Sequence, residues 1–450
     1  MKSLHFMDNW TMKRIISFFL VTILATGALT SVAHASPANG MPCTQVGSIQ
    51  GAANHKLICT KSGKKLVWEI PPTKATANNS SSQTTATMPS STKVAKYNFS
   101  APIPITLPAT NSTPSNSITF ENVTNRVSDI PTAAYTNQSI VLNANMTPNT
   151  KYDIFISPDI ASSISTAHVS TLVENTMKMY SGFQQPPYFA VYIYDYAGTA
   201  WAKNKYEEVS KARNYSTLKN YNDRFAHDVD ATCHNAGDCG GTNASTIRGS
   251  NEGYMDIATN GPGEDFLNSP NIPHSYIHLI QKTQWDGTQL VDVNEVQNQV
   301  IPFWLFEGGS QATPTMLCTG SLQNYLTRRN DIFFNFRGTR INNLTAQTLT
   351  NYLNTGFSNK TIDPDGKIIN SDGGPGSPMS GLGNPVGGLA VEALTAISGP
   401  QSVMALTALV ANGNTMADAF QKVYGITWNQ GLNILGQVLA AEYAANAPRT

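Results

Sequence analysis

Charged residues are scarce in this sequence, and their signs cancel. Lysine and arginine together number 29, and aspartate and glutamate also number 29, so the 450 residues carry a formal net charge of zero. Proteins that bind nucleic acid or anionic membranes need basic surfaces, because phosphate groups are their main electrostatic target. The composition therefore argues against nucleic acid as a partner.

Long apolar runs are missing beyond the first residues of the chain. The one such run, Ile15 to Leu29, follows the basic pair Lys13 and Arg14 and precedes an A-x-A cleavage site that ends at Ala35. This order is typical of a secretory signal, so we predict a cleaved signal peptide over residues 1–35. No later segment is long and apolar enough to cross a bilayer as a helix. We expect a secreted or cell-surface protein without a transmembrane anchor in the mature chain.

Cysteines are few, and those of exported proteins tend to oxidise in pairs. Proximity predicts the disulfides Cys43–Cys59 and Cys233–Cys239, which leaves Cys318 over as a buried thiol. A metal site formed by Cys233, His234 and Cys239 is the alternative. It lacks a second close pair of ligands, so a small disulfide loop is favoured.

Composition divides the remainder of the chain into three parts. Residues 36–70 contain two short apolar runs around a Ser-Gly turn, which predicts a small β module stapled by a disulfide. It resembles a short Cys-pair module attached to many exported actinobacterial proteins. Residues 71–117 are rich in serine, threonine and proline, and we predict a disordered linker there. Residues 118–450 have a globular pattern.

The globular part combines strand and helix patterns. Helical periodicity covers Ala161 to Tyr180, and apolar runs predict strands at Tyr188–Tyr194 and Gly253–Ala258. Helices dominate after Pro270, and threonine caps at Thr415 and Thr427 precede the last two. We therefore predict an α+β fold, with a mixed α/β N-terminal lobe followed by a mainly helical C-terminal lobe.

Two histidines lie one helical turn apart just after a proline. Pro273 is tolerated in the first turn of a helix, which would place His274 and His278 on one face. Two imidazoles at this spacing can both reach one Zn²⁺. The alternative is a structural pair that caps the helix or bonds a buried carbonyl.

A glutamate in the next helical segment is the candidate third ligand. Glu307 lies among Trp304 and Phe306, where burying a carboxylate is costly unless it is paired or bound to a metal. With two histidines it would complete a three-ligand zinc site with one open position. Alternatively, Glu307 simply favours the N-terminus of its helix.

These segments resemble the glutamate-zincin metallopeptidases, the thermolysin and aminopeptidase group. The family's helix reads HExxH, often HEYxH followed by a glutamine, and this chain has HSYIH at 274–278 with Gln281 after it. The next family helix often reads WLxEGxA, and this chain has WLFEGGS at 304–310. The tail from Gly413 to Thr427 is also similar. The resemblance implies a metallopeptidase-like fold with His274, His278 and Glu307 as zinc ligands.

Two departures from the family pattern bear on activity. Ser275 occupies the position of the family's catalytic glutamate, and a serine hydroxyl is a very poor base at neutral pH. Between His278 and Glu307 lie 28 residues, more than in the family examples, which predicts an inserted loop. Glu252, Glu264 and Asp265 are the nearest carboxylates in sequence that could replace the base. Tyr325 and Tyr352 are candidate transition-state donors.

Three functional hypotheses follow. The first is an exported metallopeptidase-like protein that binds zinc and peptide or protein ligands but hydrolyses them weakly or not at all. The second is a non-enzymatic cell-surface protein, for adhesion or envelope organisation, that keeps the fold. The third is an active peptidase whose general base has been relocated. The sequence favours the first and specifies no oligomeric state.

Overall fold

The computed structural model describes residues 49–50, 57–62, 65–69, 117–145, 147–218, 221, 223–247, 249–260, 270–285, 300–334, 344–355, 360–362, 368–370 and 383–446. The predicted signal peptide lies outside them, as does the predicted linker except for Ser117. The chain divides into two compact units, one up to Thr85 and one from Ala86 onward.

Three short antiparallel strands make up the described part of the first unit. They are β1 (Ile49–Gln50), β2 (Leu57–Ser62) and β3 (Lys65–Glu69). The two strands predicted around the Ser-Gly turn are confirmed, because β2 and β3 pair as a hairpin. Cys59 is buried and disulfide-bonded. Its predicted partner, Cys43, lies outside the described residues.

The second unit is mixed α/β and mostly helical. Its strands are β4 (Lys151–Ile156), β5 (Tyr188–Tyr194), β6 (Cys233–Asn235), β7 (Asp238–Cys239), β8 (Gly241–Thr246), β9 (Gly253–Ala258), β10 (Lys360–Ile362) and β11 (Ile368–Asn370). Its α-helices, among the described residues, are α1 (Ile130–Ala144), α2 (Thr166–Met179), α3 (Thr199–Ala212), α4 (Phe225–Thr232), α5 (Asn271–Thr283), α6 (Phe303–Cys318), α7 (Leu322–Arg329), α8 (Ala346–Thr355), α9 (Pro385–Ser398), α10 (Pro400–Ala411), α11 (Met416–Tyr424) and α12 (Trp428–Ala445).

A four-stranded mixed sheet forms the centre of the first half of this unit. Its order is β4-β5-β9-β8, with β4, β5 and β9 parallel and β8 antiparallel to β9 at one edge. Parallel neighbours need crossover connections, which α2 supplies between β4 and β5, and α3 and α4 supply between β5 and β9. The strands predicted at Tyr188–Tyr194 and Gly253–Ala258 are both confirmed.

The two faces of the sheet belong to different hydrophobic cores. Every residue of β5 is buried, as expected for a central strand covered on both faces. Phe189 and Val191 pack in the core that includes α2 and α5, whereas Tyr192 and Tyr194 pack in the core that includes α3 and α4. The sheet therefore supports α5, the helix with the histidine pair, from one side.

The predicted disulfide between Cys233 and Cys239 is present. It joins β6 and β7, a two-stranded hairpin in which the two cysteines lie directly opposite each other. Cys318, predicted as a buried leftover thiol, lies on α6 and is half-buried rather than fully buried; its partial burial raises its pKa to about 12. This direction fits an inert thiol in an apolar surrounding.

The C-terminal helices begin where their caps predict. The side chain of Thr415 accepts a hydrogen bond from the backbone of Asp418, and Thr427 forms a capping box with Gln430. Gly425 ends α11 in the left-handed conformation that glycine tolerates. The mainly helical character predicted for this part of the chain is confirmed.

A buried charge cluster joins three of these helices. Arg329 of α7 forms two hydrogen-bonded contacts with Glu392 of α9, at 2.7 Å, and pairs with Glu442 of α12 at 2.9 Å. The hydroxyl of Tyr325 donates to the same Glu392 carboxylate. Buried charges are tolerated when they are paired in this way, so the cluster is read as part of the helical core.

No single helix among the described residues is long and apolar enough to cross a membrane. Helices α9 and α10 satisfy the length and composition criteria only as a pair, and they are bent by 106° relative to each other.

Candidate metal centre

Helix α5 presents the two histidines on its one partly exposed side. Pro273 lies in its first turn, and His274 and His278 are one turn apart. Their side chains are 18% and 12% exposed, while most other residues of the helix are buried against the sheet and α2. Both imidazoles are thus held by a packed helix and remain accessible to an ion.

Helix α6 brings the carboxylate to the histidines by packing tightly on α9. The backbones of Gly308 and Gly387 touch, because a Cβ built on Gly308 would lie only 2.3 Å from the carbonyl carbon of Gly387. A Cβ on Gly387 would lie 2.2 Å from the Trp304 carbonyl oxygen. Glycine is required on both sides of this crossing. Because Gly308 directly follows Glu307, this backbone contact holds the part of α6 that carries the carboxylate.

The ligand atoms of His274, His278 and Glu307, here called the His–Glu cluster, converge on one point. The two histidine Nε2 atoms are 3.0 Å apart, and they lie 3.8 and 3.6 Å from Glu307 Oε2. Three atoms at these separations lie on a circle of radius about 2.0 Å, and zinc is bound by imidazole and carboxylate at roughly 2.0–2.2 Å. Among the described residues this is the one group of three or more such side chains placed to hold a metal.

The protonation states of the cluster suit a metal ion. Burial, and then the charge of His278, lower the pKa of His274 to about 4, against an opposing effect of Glu307. Burial raises the pKa of the Glu307 carboxyl, but His278, His274 and Lys282 together lower it below its ordinary value. A neutral imidazole and an ionised carboxylate are the forms that bind metals.

Three neighbours hold the His278 ring in place. Its Nδ1 lies 2.8 Å from Gln281 Oε1, and its Nε2 lies 3.1 Å from Ser310 Oγ. The ring of Phe306 stacks on it with a centroid distance of 4.2 Å. Ser310 lies on α6, so its contact with His278 links the two ligand-bearing helices; its hydroxyl oxygen also lies 2.9 Å from the Glu307 carbonyl oxygen of its own helix.

Ser275 lies on the side of α5 that is turned toward β8. Leu279, one turn further along, would contact a Cβ on Gly253 at 2.5 Å, and Lys282, two turns along, donates to the Ala244 carbonyl of β8. Ser275 is fully buried, and its hydroxyl has no hydrogen-bond partner in the described part of the chain. An unpaired buried hydroxyl is uncommon and unfavourable.

The structure places other predicted candidates away from the His–Glu cluster. The hydroxyl of Tyr325, a candidate transition-state donor, donates to Glu392 in the helical core. Glu252, a candidate substitute base, pairs with Arg213 and accepts a hydrogen bond from Tyr215 at 2.8 Å. Both side chains bond to residues that are distant in sequence, and such contacts cannot be predicted from sequence spacing.

Tyr352 is the downstream candidate that does lie near the cluster. It is buried, and burial together with the negative charge of Glu307 raises its pKa well above the ordinary value. The remaining candidate bases, Glu264 and Asp265, lie outside the described residues, as does most of the predicted inserted loop.

Sequence reasoning did not assign roles to the residues that support the cluster. Gln281 follows His278 by three positions, and Ser310 follows Glu307 by three, so each lies one helical turn from a predicted ligand. That spacing was the available signal. For Phe306 the available signal was its position directly before Glu307.

Comparisons with protein-family models, with curated proteins and with solved structures find no match for this chain. Function is therefore inferred from the chemistry of the His–Glu cluster and its surroundings.

Proposed function

We propose that this protein binds a single Zn²⁺ at the His–Glu cluster and that it is a metallopeptidase-like protein with weak or no peptidase activity. The observation that carries the proposal is the triangle of ligand atoms with edges of 3.0, 3.6 and 3.8 Å. Two imidazoles and one carboxylate form the donor set of zinc sites that keep a fourth position open. When bound there, zinc would act as a Lewis acid that polarises a carbonyl group.

A peptide ligand is supported by the sheet edge next to the histidine helix. Strand β8 has β9 on one side and no other strand beside it among the described residues, and its residues are mostly half-buried. Extended peptides can pair with such an edge through main-chain hydrogen bonds. Lys282 of the histidine helix donates to the Ala244 carbonyl, which puts β8 beside that helix and leaves the other main-chain groups of the edge for pairing. A peptide paired along β8 would run close to the His–Glu cluster.

Weak or absent hydrolysis is supported by the residue at position 275. Ser275 occupies the position where the family resemblance implies a glutamate, and its hydroxyl is buried. Loss of a general base typically lowers a rate by about 10²–10⁴-fold. Within the described part of the chain, Glu252 is held by Arg213 and Tyr215, which disfavours a relocated base there.

Metal titration tests the proposal. We expect the purified protein to bind one zinc per chain in competition with a chromophoric chelator, and His274→Ala and Glu307→Gln to lose stoichiometric binding. A matched control is His227→Ala, which removes a histidine that is 75% exposed on α4 and outside the cluster. Its zinc affinity should equal that of the wild type. Absence of stoichiometric zinc in the wild type, or unchanged binding in His274→Ala, would leave the non-enzymatic surface protein as the better hypothesis.

A further inference from the structure

Gln281 makes two hydrogen bonds that connect the two ligand-bearing helices. Its Oε1 lies 2.8 Å from His278 Nδ1 on its own helix, and its Nε2 lies 3.0 Å from the Phe306 carbonyl oxygen on α6. The side chain is 2% exposed, so water does not compete for either bond. Phe306 directly precedes Glu307, so this one amide joins His278 to the backbone of the residue before Glu307.

The orientation of the Gln281 amide follows from its partners. A backbone carbonyl only accepts hydrogen bonds, so the NH₂ group of Gln281 must face the Phe306 oxygen. The amide oxygen is then the atom next to His278 Nδ1, and it can only accept. His278 must therefore carry a proton on Nδ1, and in the neutral ring this leaves the lone pair on Nε2.

The remaining contacts of the two rings agree with this tautomer. With an unprotonated Nε2, His278 accepts a hydrogen bond across the 3.0 Å separation from His274 Nε2. Ser310 Oγ lies 3.1 Å from the same atom, and it bonds to an unprotonated Nε2 when its single hydroxyl proton points there rather than to the carbonyl of Glu307. The lone pair on His278 Nε2 is thus directed into the His–Glu cluster, where Nε2 is one of the three ligand atoms.

Gly309 of α6 lies against the Gln281 amide. A Cβ built on Gly309 would approach Gln281 Nε2 to 3.4 Å, so the glycine lies directly against the amide. The amide therefore packs against α6, the same helix whose Phe306 carbonyl accepts its hydrogen bond.

We propose that Gln281 is a positioning residue of the metal centre: it fixes His278 as the Nδ1-protonated tautomer and ties that ring to the helix that carries Glu307. The ligand role of His278 rests on the proposed zinc function, whereas the tautomer exists without any metal. Residues that orient a metal-binding histidine in this way typically contribute 10–100-fold to metal affinity.

Nitrogen NMR of the full-length protein labelled with ¹⁵N-histidine tests the tautomer directly, in the metal-free state. The chain contains 8 histidines, and comparison with His278→Gln identifies the relevant signals. We expect His278 to show a protonated Nδ1 and an unprotonated Nε2. Leucine has a similar volume to glutamine but no hydrogen-bond acceptor. In Gln281→Leu we therefore expect a smaller population of the Nδ1-protonated form of His278.

Zinc affinity gives the second readout, with Gln281→Glu as the conservative variant. Gln281→Leu should weaken zinc binding by about 10–100-fold. Gln281→Glu restores an acceptor for His278 Nδ1, so it should recover the tautomer and most of the affinity even though it cannot donate to Phe306. A wild-type His278 protonated at Nε2, or a Gln281→Leu variant with the wild-type tautomer, overturns the proposal whether or not zinc binds. An absence of zinc binding in a wild type with the expected tautomer overturns only the proposed function.

Discussion

Replacing Ser275 with glutamate should create or raise peptidase activity. The substitution supplies a carboxylate on the side of α5 that is turned toward β8, next to the side that carries the histidine pair. General-base catalysis contributes about 10²–10⁴-fold to such reactions, so we expect a gain of that order over the wild type. The measurement is hydrolysis of denatured casein and of a mixed peptide pool by the zinc-loaded protein, with and without a chelator.

The matched control for this variant is Ser275→Gln. Glutamine has the same size and shape as glutamate but no basic carboxylate. Any effect of a longer side chain at this buried position is therefore common to both variants, and only Ser275→Glu adds a proton acceptor. We expect Ser275→Gln to hydrolyse no faster than the wild type, and His274→Ala to abolish any activity gained by Ser275→Glu. If Ser275→Glu is folded and zinc-loaded yet no more active than Ser275→Gln, the proposed position of residue 275 beside the metal is wrong.

Gly308→Ala should destabilise the protein strongly and weaken the metal centre with it. Its added Cβ would lie 2.3 Å from the Gly387 carbonyl carbon and oxygen, and backbone atoms cannot move aside as a flexible side chain can. Forced overpacking of this kind typically costs about 1–3 kcal/mol, and occasionally more. We expect a lower denaturation midpoint and reduced zinc affinity, because Glu307 is the neighbouring residue on α6.

Gly309→Ala is the control one position along the same helix. Its Cβ would meet only side-chain atoms, Gln281 Nε2 at 3.4 Å and Val403 Cγ1 at 3.7 Å. Both substitutions gain about 1 kcal/mol of helix propensity, so that contribution cancels in the comparison. The expected order of stability is Gly309→Ala close to wild type and Gly308→Ala far below it. Equal stabilities would show that α6 and α9 do not cross at these glycines.

Elements with a strong local signal were predicted from the sequence with accurate limits. Strand β5 is a continuous apolar run, and it is buried on both faces, so its local pattern and its final environment agree. Helices α11 and α12 begin after Thr415 and Thr427, whose side chains satisfy backbone groups that would otherwise lack partners. In both cases the physical cause lies within a few residues of the element itself.

Strand β8 illustrates what the sequence could not supply. Its residues, Gly241–Thr246, are small and polar and show no apolar alternation, so nothing local marks a strand. It becomes a strand because β9 offers a paired edge and because α5 packs against it, as the Lys282 contact to Ala244 shows. These partners come from other parts of the chain.

The same distinction applies to the site. The spacing of His274 and His278 within one helix was readable, since residues four apart share a face. That Glu307 approaches them follows from the α6–α9 crossing, which is a tertiary feature. Tyr325 illustrates the converse: its hydroxyl bonds to Glu392, which lies 67 residues away in sequence, so its local sequence gave no sign of this partner.

Anomalous scattering at the zinc absorption edge, from crystals of the protein loaded with one equivalent of zinc, tests the central claim most directly. The account predicts one strong peak about 2.0–2.1 Å from the Nε2 atoms of His274 and His278 and near Glu307 Oε2. No peak at the cluster, or a zinc held without the two histidines, would contradict it.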